Sequence, residues 1–175
     1  MSITPTKVYD FIYVADGNQH KNHLKLIEAW KKLSYQGIKP SLALTVSPKF
    51  THLFNLLKDL AADEDLKIFN LEELSRHEIS NLYRSSKALI YPSLSESLGL
   101  PLIEASKFNI PIIASELDFV RDSCDPIETF DPHSALSISR AVKRYLGIKS
   151  ELDLVVDAGY FLSIIKDKYH QEFFS

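Results

Sequence analysis

The sequence predicts an α/β protein built on a doubly wound parallel sheet of about six strands, with helices on both faces. Two observations lead to this fold class. Short apolar runs alternate along the chain with stretches whose apolar residues recur at helical spacing. The apolar runs are continuous, which is typical of strands buried on both faces of a parallel sheet.

Three units of a strand followed by a helix fill the first half of the chain. The predicted strands cover residues 11–15, 41–46 and 66–69, which are rich in aliphatic and aromatic side chains. A helix follows each strand, because the next apolar residues recur three or four positions apart. The residues that mark these helices are Leu26, Ile27, Trp30 and Leu33, then Phe54, Leu57, Leu60 and Ala61, then Ile79, Leu82 and Tyr83.

The second half continues the alternation. The predicted strands are residues 88–91, 110–114 and 127–130, and further helices are expected around residues 138–145 and 151–172. The helix at residues 101–108 has the clearest boundaries of all. Gly99 precedes it, Pro101 suits its first position, and Asn109 stands where a left-handed cap is expected.

Length and charge indicate one soluble domain without a nucleic-acid partner. The 175 residues are near the size that one hydrophobic core can hold, so we expect a single domain over residues 1–175 with its core at about 10–146. The 20 Lys and Arg residues against 23 Asp and Glu give a net charge of −3. That balance gives no electrostatic support for binding nucleic acid.

Three features of the sequence argue against particular classes of protein. The one cysteine, Cys124, cannot form an internal disulfide or a cysteine-based zinc site, and it favours a reducing cytoplasm. The five glycines are too far apart for the G-x-G-x-x-G motif or a P-loop, which argues against dinucleotide dehydrogenases and P-loop kinases. No signal-peptide core or membrane-spanning run is found in the sequence.

The turn after the fourth predicted strand is the strongest candidate site, because ligands of such sheets bind beyond the carboxyl ends of the strands. It carries Glu96, and Glu104 follows within the next helix. The helix N-terminus offers free N–H groups that suit phosphates, and the two carboxylates suit the vicinal hydroxyls of a sugar. The alternative is that Glu96 lies on a solvated loop and Glu104 merely favours the helix dipole.

Residues 92–105, Pro-Ser-Leu-Ser-Glu-Ser-Leu-Gly-Leu-Pro-Leu-Ile-Glu-Ala, carry a close resemblance to a known family. They are similar to the signature Pro-Ser-x-x-Glu-[Gly/Ser]-[Phe/Leu]-Gly-Leu-Pro-x-x-Glu-Ala of the group 1 (family 4) retaining glycosyltransferases. The likeness continues through residues 20–30, 82–88, 110–115, 119–124 and 130–132. It implies the C-terminal, donor-binding half of a GT-B fold, a Rossmann-like domain that normally faces an N-terminal acceptor domain, here absent.

The resemblance also implies roles for individual residues. Glu104 would hold the ribose hydroxyls, Glu96 would lie beside the anomeric carbon of the donor sugar, and Lys21 would neutralise the diphosphate leaving group. Backbone N–H groups would bind the diphosphate and sugar, and two residues after the third strand would pack the base. The backbone donors are those of Ser97, Leu98, Gly99 and Leu100, and the base-packing residues are Asn70 and Leu71, where an Asn replaces the family's usual glycine.

One departure concerns the turn before Lys21, where the family usually has an arginine and this chain reads Ala-Asp-Gly-Asn-Gln at residues 15–19. The diphosphate would lose one charge partner. His20 and His23 are three residues apart, yet nothing completes a metal set with them, so solvent-exposed or hydrogen-bonded histidines are expected. The resemblance likewise implies an enzyme that needs no metal or other cofactor.

The expected function is retaining transfer of a hexosyl group from a UDP- or GDP-sugar to a glycan or glycolipid, as in polysaccharide or lipopolysaccharide synthesis. This chain alone is expected to bind the donor without completing the transfer. Two alternatives remain open, an inactive nucleotide-sugar binding module and a GT-B nucleotide-sugar epimerase relative. A cytoplasmic location is expected, and peripheral association of the full enzyme with the inner face of the membrane is left open.

Overall fold

The structure is a computed structural model, and it describes residues 8–60, 62 and 66–148. Met1–Val142 form one compact unit, and Lys143–Ser175 form a second, of which residues 143–148 are described. The helix predicted at residues 151–172 lies outside the described residues.

The described residues form one sheet of six parallel strands in the order β3-β2-β1-β4-β5-β6. This confirms the predicted doubly wound α/β fold, in which a helix joins each strand to the next one along the chain. The strands are β1 (Tyr9–Tyr13), β2 (Leu42–Leu44), β3 (Ile68–Asn70), β4 (Ser86–Tyr91), β5 (Ile112–Ser115) and β6 (Glu128–Phe130).

The helices cover the sheet between successive strands. Five correspond to predicted helices, whereas the short α5 was not predicted. The helices are α1 (His23–Tyr35), α2 (Thr51–Leu60), α3 (Arg76–Arg84), α4 (Leu100–Lys107), α5 (Asp118–Arg121) and α6 (Ala135–Tyr145), and a 3-10 turn spans Gln19–Lys21. No described helix combines the length and apolar character that a membrane crossing requires.

The core is centred on β1 and β4, which pair along most of their length. Phe11, Ile12 and Tyr13 are fully buried. The ring of Trp30 on α1 packs edge-on against Phe11 with centroids 5.5 Å apart, and its indole N–H donates to the Pro40 carbonyl at 2.9 Å. These contacts fix α1, and therefore the turn that leads into it, against the central strand.

Polar side chains move the ends of β1 from the predicted residues 11–15. At its start, the Asp10 carboxylate accepts hydrogen bonds from the backbone N–H and the hydroxyl of Ser41, at 2.8 and 2.9 Å, and this extends the pairing toward β2. At its end, the Ala15 N–H donates to the Thr45 hydroxyl instead of to a neighbouring strand. The strand therefore stops at Tyr13, and residues 14–22 form the turn that carries Lys21.

Candidate active site

The candidate site lies at the switch point of the sheet. From β1 the chain passes to β2 on one side, whereas from β4 it passes to β5 on the other. The turns that follow these two neighbouring strands diverge and leave a crevice at their carboxyl ends. Residues 14–22 form one wall of this crevice, and residues 92–99 form the other.

Lys21 and Glu96 meet across the crevice. The Lys21 Nζ lies 2.6 Å from Glu96 Oε1, and the two side chains are 16% and 11% exposed. Partial burial raises the pKa of Glu96, but its hydrogen bond from Lys21 and the nearby hydroxyls of Ser93 and Tyr91 outweigh it, so the pKa lies below its ordinary value. Glu96 is therefore an anion at neutral pH, and the solvated-loop alternative is wrong.

Tyr13 holds the two turns together from below. Its hydroxyl donates to the Lys21 carbonyl at 2.9 Å and shares a 2.7 Å hydrogen bond with Ser93 Oγ. Both side chains are fully buried. The Leu94 N–H adds a backbone bond to the His20 carbonyl at 2.8 Å. The position of Lys21 relative to Glu96 is thus set by backbone and buried side chains as well as by the ion pair.

The N-terminus of α4 opens into the same crevice. Gly99 is its N-cap in the left-handed conformation, with φ of 59° and ψ of 44°. Within the described part of the chain, the backbone N–H groups of Ser97, Leu98, Gly99 and Leu100 donate no hydrogen bond. Unpaired donors at the positive end of a helix can bind an anionic oxygen. The side chains of Leu98 and Leu100 are mostly exposed.

Glu104 lies one turn further along α4 and does not join the Lys21–Glu96 pair. The Tyr83 hydroxyl donates to its Oε2 at 3.2 Å, which ties the carboxylate to α3. Burial and the nearby Glu104 charge together raise the pKa of Tyr83, so the phenol stays protonated as a donor. Glu104 is partly buried, and the contact with Tyr83 orients its carboxylate, so it does more than favour the helix dipole.

Asn70 and Leu71 lie away from the other candidate residues. Asn70 is the last residue of β3 and Leu71 follows it. This edge strand is separated from β4 by β2 and β1. Three strand spacings correspond to about 14 Å. The Asn70 side chain is bound to both backbone groups of Val46, at 2.9 Å each. The Leu71 N–H donates to the Leu44 carbonyl. Asn70 therefore organises the turn after β2.

The turn of residues 14–22 shows what stands where the family's arginine is missing. The Asp16 carboxylate accepts from the backbone N–H and the side-chain amide of Asn18, at 3.0 and 2.7 Å. These bonds shape the turn without adding a positive charge. Lys21 is the one Lys or Arg of the segment.

The two histidines near Lys21 differ from each other. His20 is exposed, as expected, but His23 is 3% exposed and neither ring nitrogen has a hydrogen-bond partner. The expectation of an exposed or hydrogen-bonded side chain is wrong for His23. Its ring packs against the ring of Tyr13 in a tilted arrangement, with the ring centroids 4.9 Å apart. Among the described residues, no three His, Cys, Asp or Glu side chains cluster as a metal set.

Three residues of this site were missed in the sequence. Tyr13 stands in an apolar run and resembles a core residue, although a buried phenol normally requires a partner for its hydroxyl. Ser93 lies in the motif at residues 92–105, and no local signal indicates that its hydroxyl bonds a buried phenol. Asn22 precedes α1 as a left-handed residue, a conformation for which asparagine is enriched.

Known proteins are similar to this chain in sequence. A family model described as "Glycosyl transferases group 1" matches residues 2–158. The serotype-specific mannosyltransferase WbdA of Escherichia coli is 28% identical over 141 residues, which make up 79% of this chain. The chain spans only 17% of the length of that relative.

Solved structures show the same fold at low sequence identity. A glycosyltransferase from Rickettsia africae superposes with a TM-score of 0.67 at 22% identity, covering 91% of this chain and 43% of the other. Anabaena HepE, solved in complex with UDP and glucose, gives a TM-score of 0.63 at 13% identity, covering 79% and 39%. The doubly wound sheet is therefore the Rossmann-like domain found in glycosyltransferases.

Proposed function

The chain belongs to the glycosyl transferases group 1 family, and we propose that it binds the donor in a retaining hexosyl transfer from a nucleotide-diphosphate sugar. The observation that carries the proposal is the Lys21–Glu96 pair, at 2.6 Å, beside the open N-terminus of α4. Positive charge and free N–H groups suit a diphosphate, and the carboxylate beside them suits sugar hydroxyls.

Each group has a defined task in this proposal. Cleavage of the bond between the anomeric carbon and the diphosphate leaves negative charge on the phosphate. Lys21 and the N–H groups of residues 97–100 stabilise that charge, because they are already oriented before the bond breaks. Glu96 lies beside the anomeric carbon, and its ion pair with Lys21 keeps it anionic in the free protein. No metal is needed in this scheme.

Glu104 and the residues after β3 complete the donor site. The Glu104 carboxylate, oriented by Tyr83, accepts hydrogen bonds from the ribose hydroxyls. Asn70 and Leu71 form the surface that packs against the base. Asn70 contributes to it by holding the turn at Val46 in place. A mannosyl donor is favoured by the likeness to WbdA, and the HepE complex supports a nucleoside diphosphate as the recognised group. UDP and GDP remain the two bases to compare.

The full reaction requires more than this chain. We propose that an acceptor-binding domain faces the crevice and presents a glycan or glycolipid, since the chain spans 17% of the length of WbdA. The single cysteine fits a cytoplasmic location. The likeness to a mannosyltransferase favours transfer over an epimerase or an inactive module.

Nucleotide titration tests the donor site. We expect calorimetry to detect binding of UDP or GDP by the 175-residue chain, and Glu104→Ala to weaken that binding about tenfold, because it removes charged hydrogen bonds. Glu96→Ala should instead abolish the extra affinity for the nucleotide sugar over the free nucleoside diphosphate. Asp59→Ala, which removes an exposed carboxylate of α2, is the control. The proposal fails if neither nucleotide binds, or if both site variants behave like the control.

A further inference from the structure

Asn22 is an unusually constrained residue at the end of the turn that carries Lys21. It has φ of 61° and ψ of 31°, in the left-handed region, and it both ends the 3-10 turn and begins α1. A residue other than glycine is strained in this conformation, although asparagine tolerates it better than most. No side-chain capping bond to α1 accompanies it. Its side chain is used elsewhere.

The Asn22 amide joins three turns of the sheet. Its Nδ2 donates to the Pro92 carbonyl at 3.0 Å and to the Pro132 carbonyl at 2.8 Å. Pro92 begins the turn after β4, and Pro132 belongs to the turn after β6. Both bonds are long-range, spanning 70 and 110 residues. We call this set of two bonds the Asn22 clamp.

The clamp acts on the residue that precedes it. Lys21 has its carbonyl held by the Tyr13 hydroxyl, and the next residue is tied to the wall of the crevice that carries Glu96. The Cα of Lys21 therefore has a defined place even when its long side chain changes partner. This matters here because residues 14–22 contain no arginine to share the charge.

We infer that Asn22 is a positioning residue for donor recognition: its clamp holds Lys21 where the ammonium can pass from Glu96 to the diphosphate. The inference rests on the proposed function. Lys21 then recognises the second phosphate of the donor, because the Asn22 side-chain amide fixes the backbone position of Lys21. A nucleoside monophosphate lacks that phosphate and should bind without help from the clamp.

The test compares the diphosphate and monophosphate of one nucleoside, GDP with GMP or UDP with UMP, by calorimetry on the full chain. Asn22→Gly keeps the left-handed backbone and removes the clamp. We expect its diphosphate affinity to fall about tenfold while its monophosphate affinity stays unchanged, since one charge-assisted contact is misplaced. Asn22→Asp should lose at least as much, because its carboxylate faces two carbonyl oxygens.

Asn109→Gly is the matched control. Asn109 is also left-handed, with φ of 52°, but it is exposed and lies at the other end of α4. This change alters the backbone in the same way without touching the clamp, so both affinities should remain those of the wild type. Circular dichroism establishes that each variant is folded before titration.

The outcomes separate cleanly. An unchanged ratio of the two affinities in Asn22→Gly overturns the inference, whether both affinities keep their wild-type values or both fall by the same factor. The second case would indicate a merely structural role. If Asn22→Gly does not fold, the same ratio of diphosphate to monophosphate affinity is measured for Asn22→Asp. That variant is studied alone and as a double variant with Lys21→Met. If the clamp acts through Lys21, the two losses in the double variant are not additive. Wild-type protein that binds no nucleoside diphosphate contradicts the proposed function itself.

Discussion

At the scale of single residues, His23 stands out because burial sets its charge. Its ring is 3% exposed, both nitrogens lack partners, and Tyr13 covers one face. Loss of solvent lowers the pKa of His23 to about 4, since the charged imidazolium cannot be hydrated there. The folded protein therefore keeps this side chain neutral at pH values where the unfolded chain protonates it.

This predicts a loss of stability in mild acid. Below the unfolded pKa of 6.5 the unfolded state binds a proton that the folded state refuses, so the free energy of unfolding falls as the pH falls from 6.5 toward 4. The part due to His23 reaches about 3 kcal/mol at the lower end. His23→Phe should remove that part, measured by urea unfolding at pH 7 and pH 5.

His20 supplies the comparison for this experiment. His20→Phe removes an exposed imidazole three residues away, so the difference between the two variants isolates the buried ring. Equal slopes of stability against pH in the two variants would show that His23 is not the group responsible.

At the scale of elements, the start of α4 depends on a left-handed glycine. A Cβ on Gly99 would lie 3.0 Å from Leu102 Cδ1, in addition to the strain of its φ of 59°. Gly99→Ala should therefore destabilise the fold by about 1–2 kcal/mol and weaken nucleotide binding, because the free N–H groups of residues 97–100 turn away. Urea unfolding and calorimetry measure the two effects.

Gly37→Ala is the matched control for this element. Gly37 has φ of 74°, but its added Cβ would meet nothing within 4 Å. It should show the backbone strain alone, with nucleotide affinity unchanged. Indistinguishable binding by the two variants would mean that the α4 N-terminus does not contact the ligand.

The elements were largely predictable because burial on both faces leaves continuous apolar runs. The six strands and the left-handed cap at Asn109 follow from such local signals, and the structure confirms them. Strand ends were not predictable, since they depend on long-range bonds such as that between Asp10 and Ser41. The α5 helix was missed because four residues are too few to show a period.

The charged residues of the candidate site were predictable, but the contacts between them were not. The motif at residues 92–105 identifies Glu96 and Glu104, and the resemblance adds Lys21. The 2.6 Å pairing of Lys21 with Glu96 joins side chains 75 residues apart, which only the sheet order brings together. Tyr13 likewise reaches Ser93, which is 80 residues away, and Asn22 reaches Pro92, which is 70 residues away.

At the scale of the whole molecule, the site joins the two halves of the sheet. Lys21 follows β1 and Glu96 follows β4, the central pair of strands. A ligand that binds both turns stabilises the folded state, and at a concentration of 100 times Kd this amounts to about 2.7 kcal/mol. The predicted outcome is a matching rise in the free energy of unfolding with saturating UDP or GDP.

Trp30 is a convenient probe for that measurement, because it is the single tryptophan and is 1% exposed beside Phe11. Its fluorescence reports unfolding of the sheet that carries the site. Glu104→Ala, at the same nucleotide concentration, should show a smaller rise. Equal stabilisation of both proteins would place the bound nucleotide somewhere other than this crevice.

The ion pair between Lys21 and Glu96 also means that ligand binding exchanges one anionic partner of Lys21 for another. In the free protein, Glu96 pairs with the Lys21 ammonium that the proposed diphosphate would bind. The ligand therefore competes with a carboxylate of the chain itself. Once Lys21 turns away, Glu96 stays partly buried but loses the ammonium contact that lowers its pKa. The pKa of Glu96 therefore rises. In the proposed donor complex, arrival of the phosphate thereby increases the basicity of Glu96, the carboxylate assigned to the donor sugar, and this couples recognition at one end of the donor to reactivity at the other.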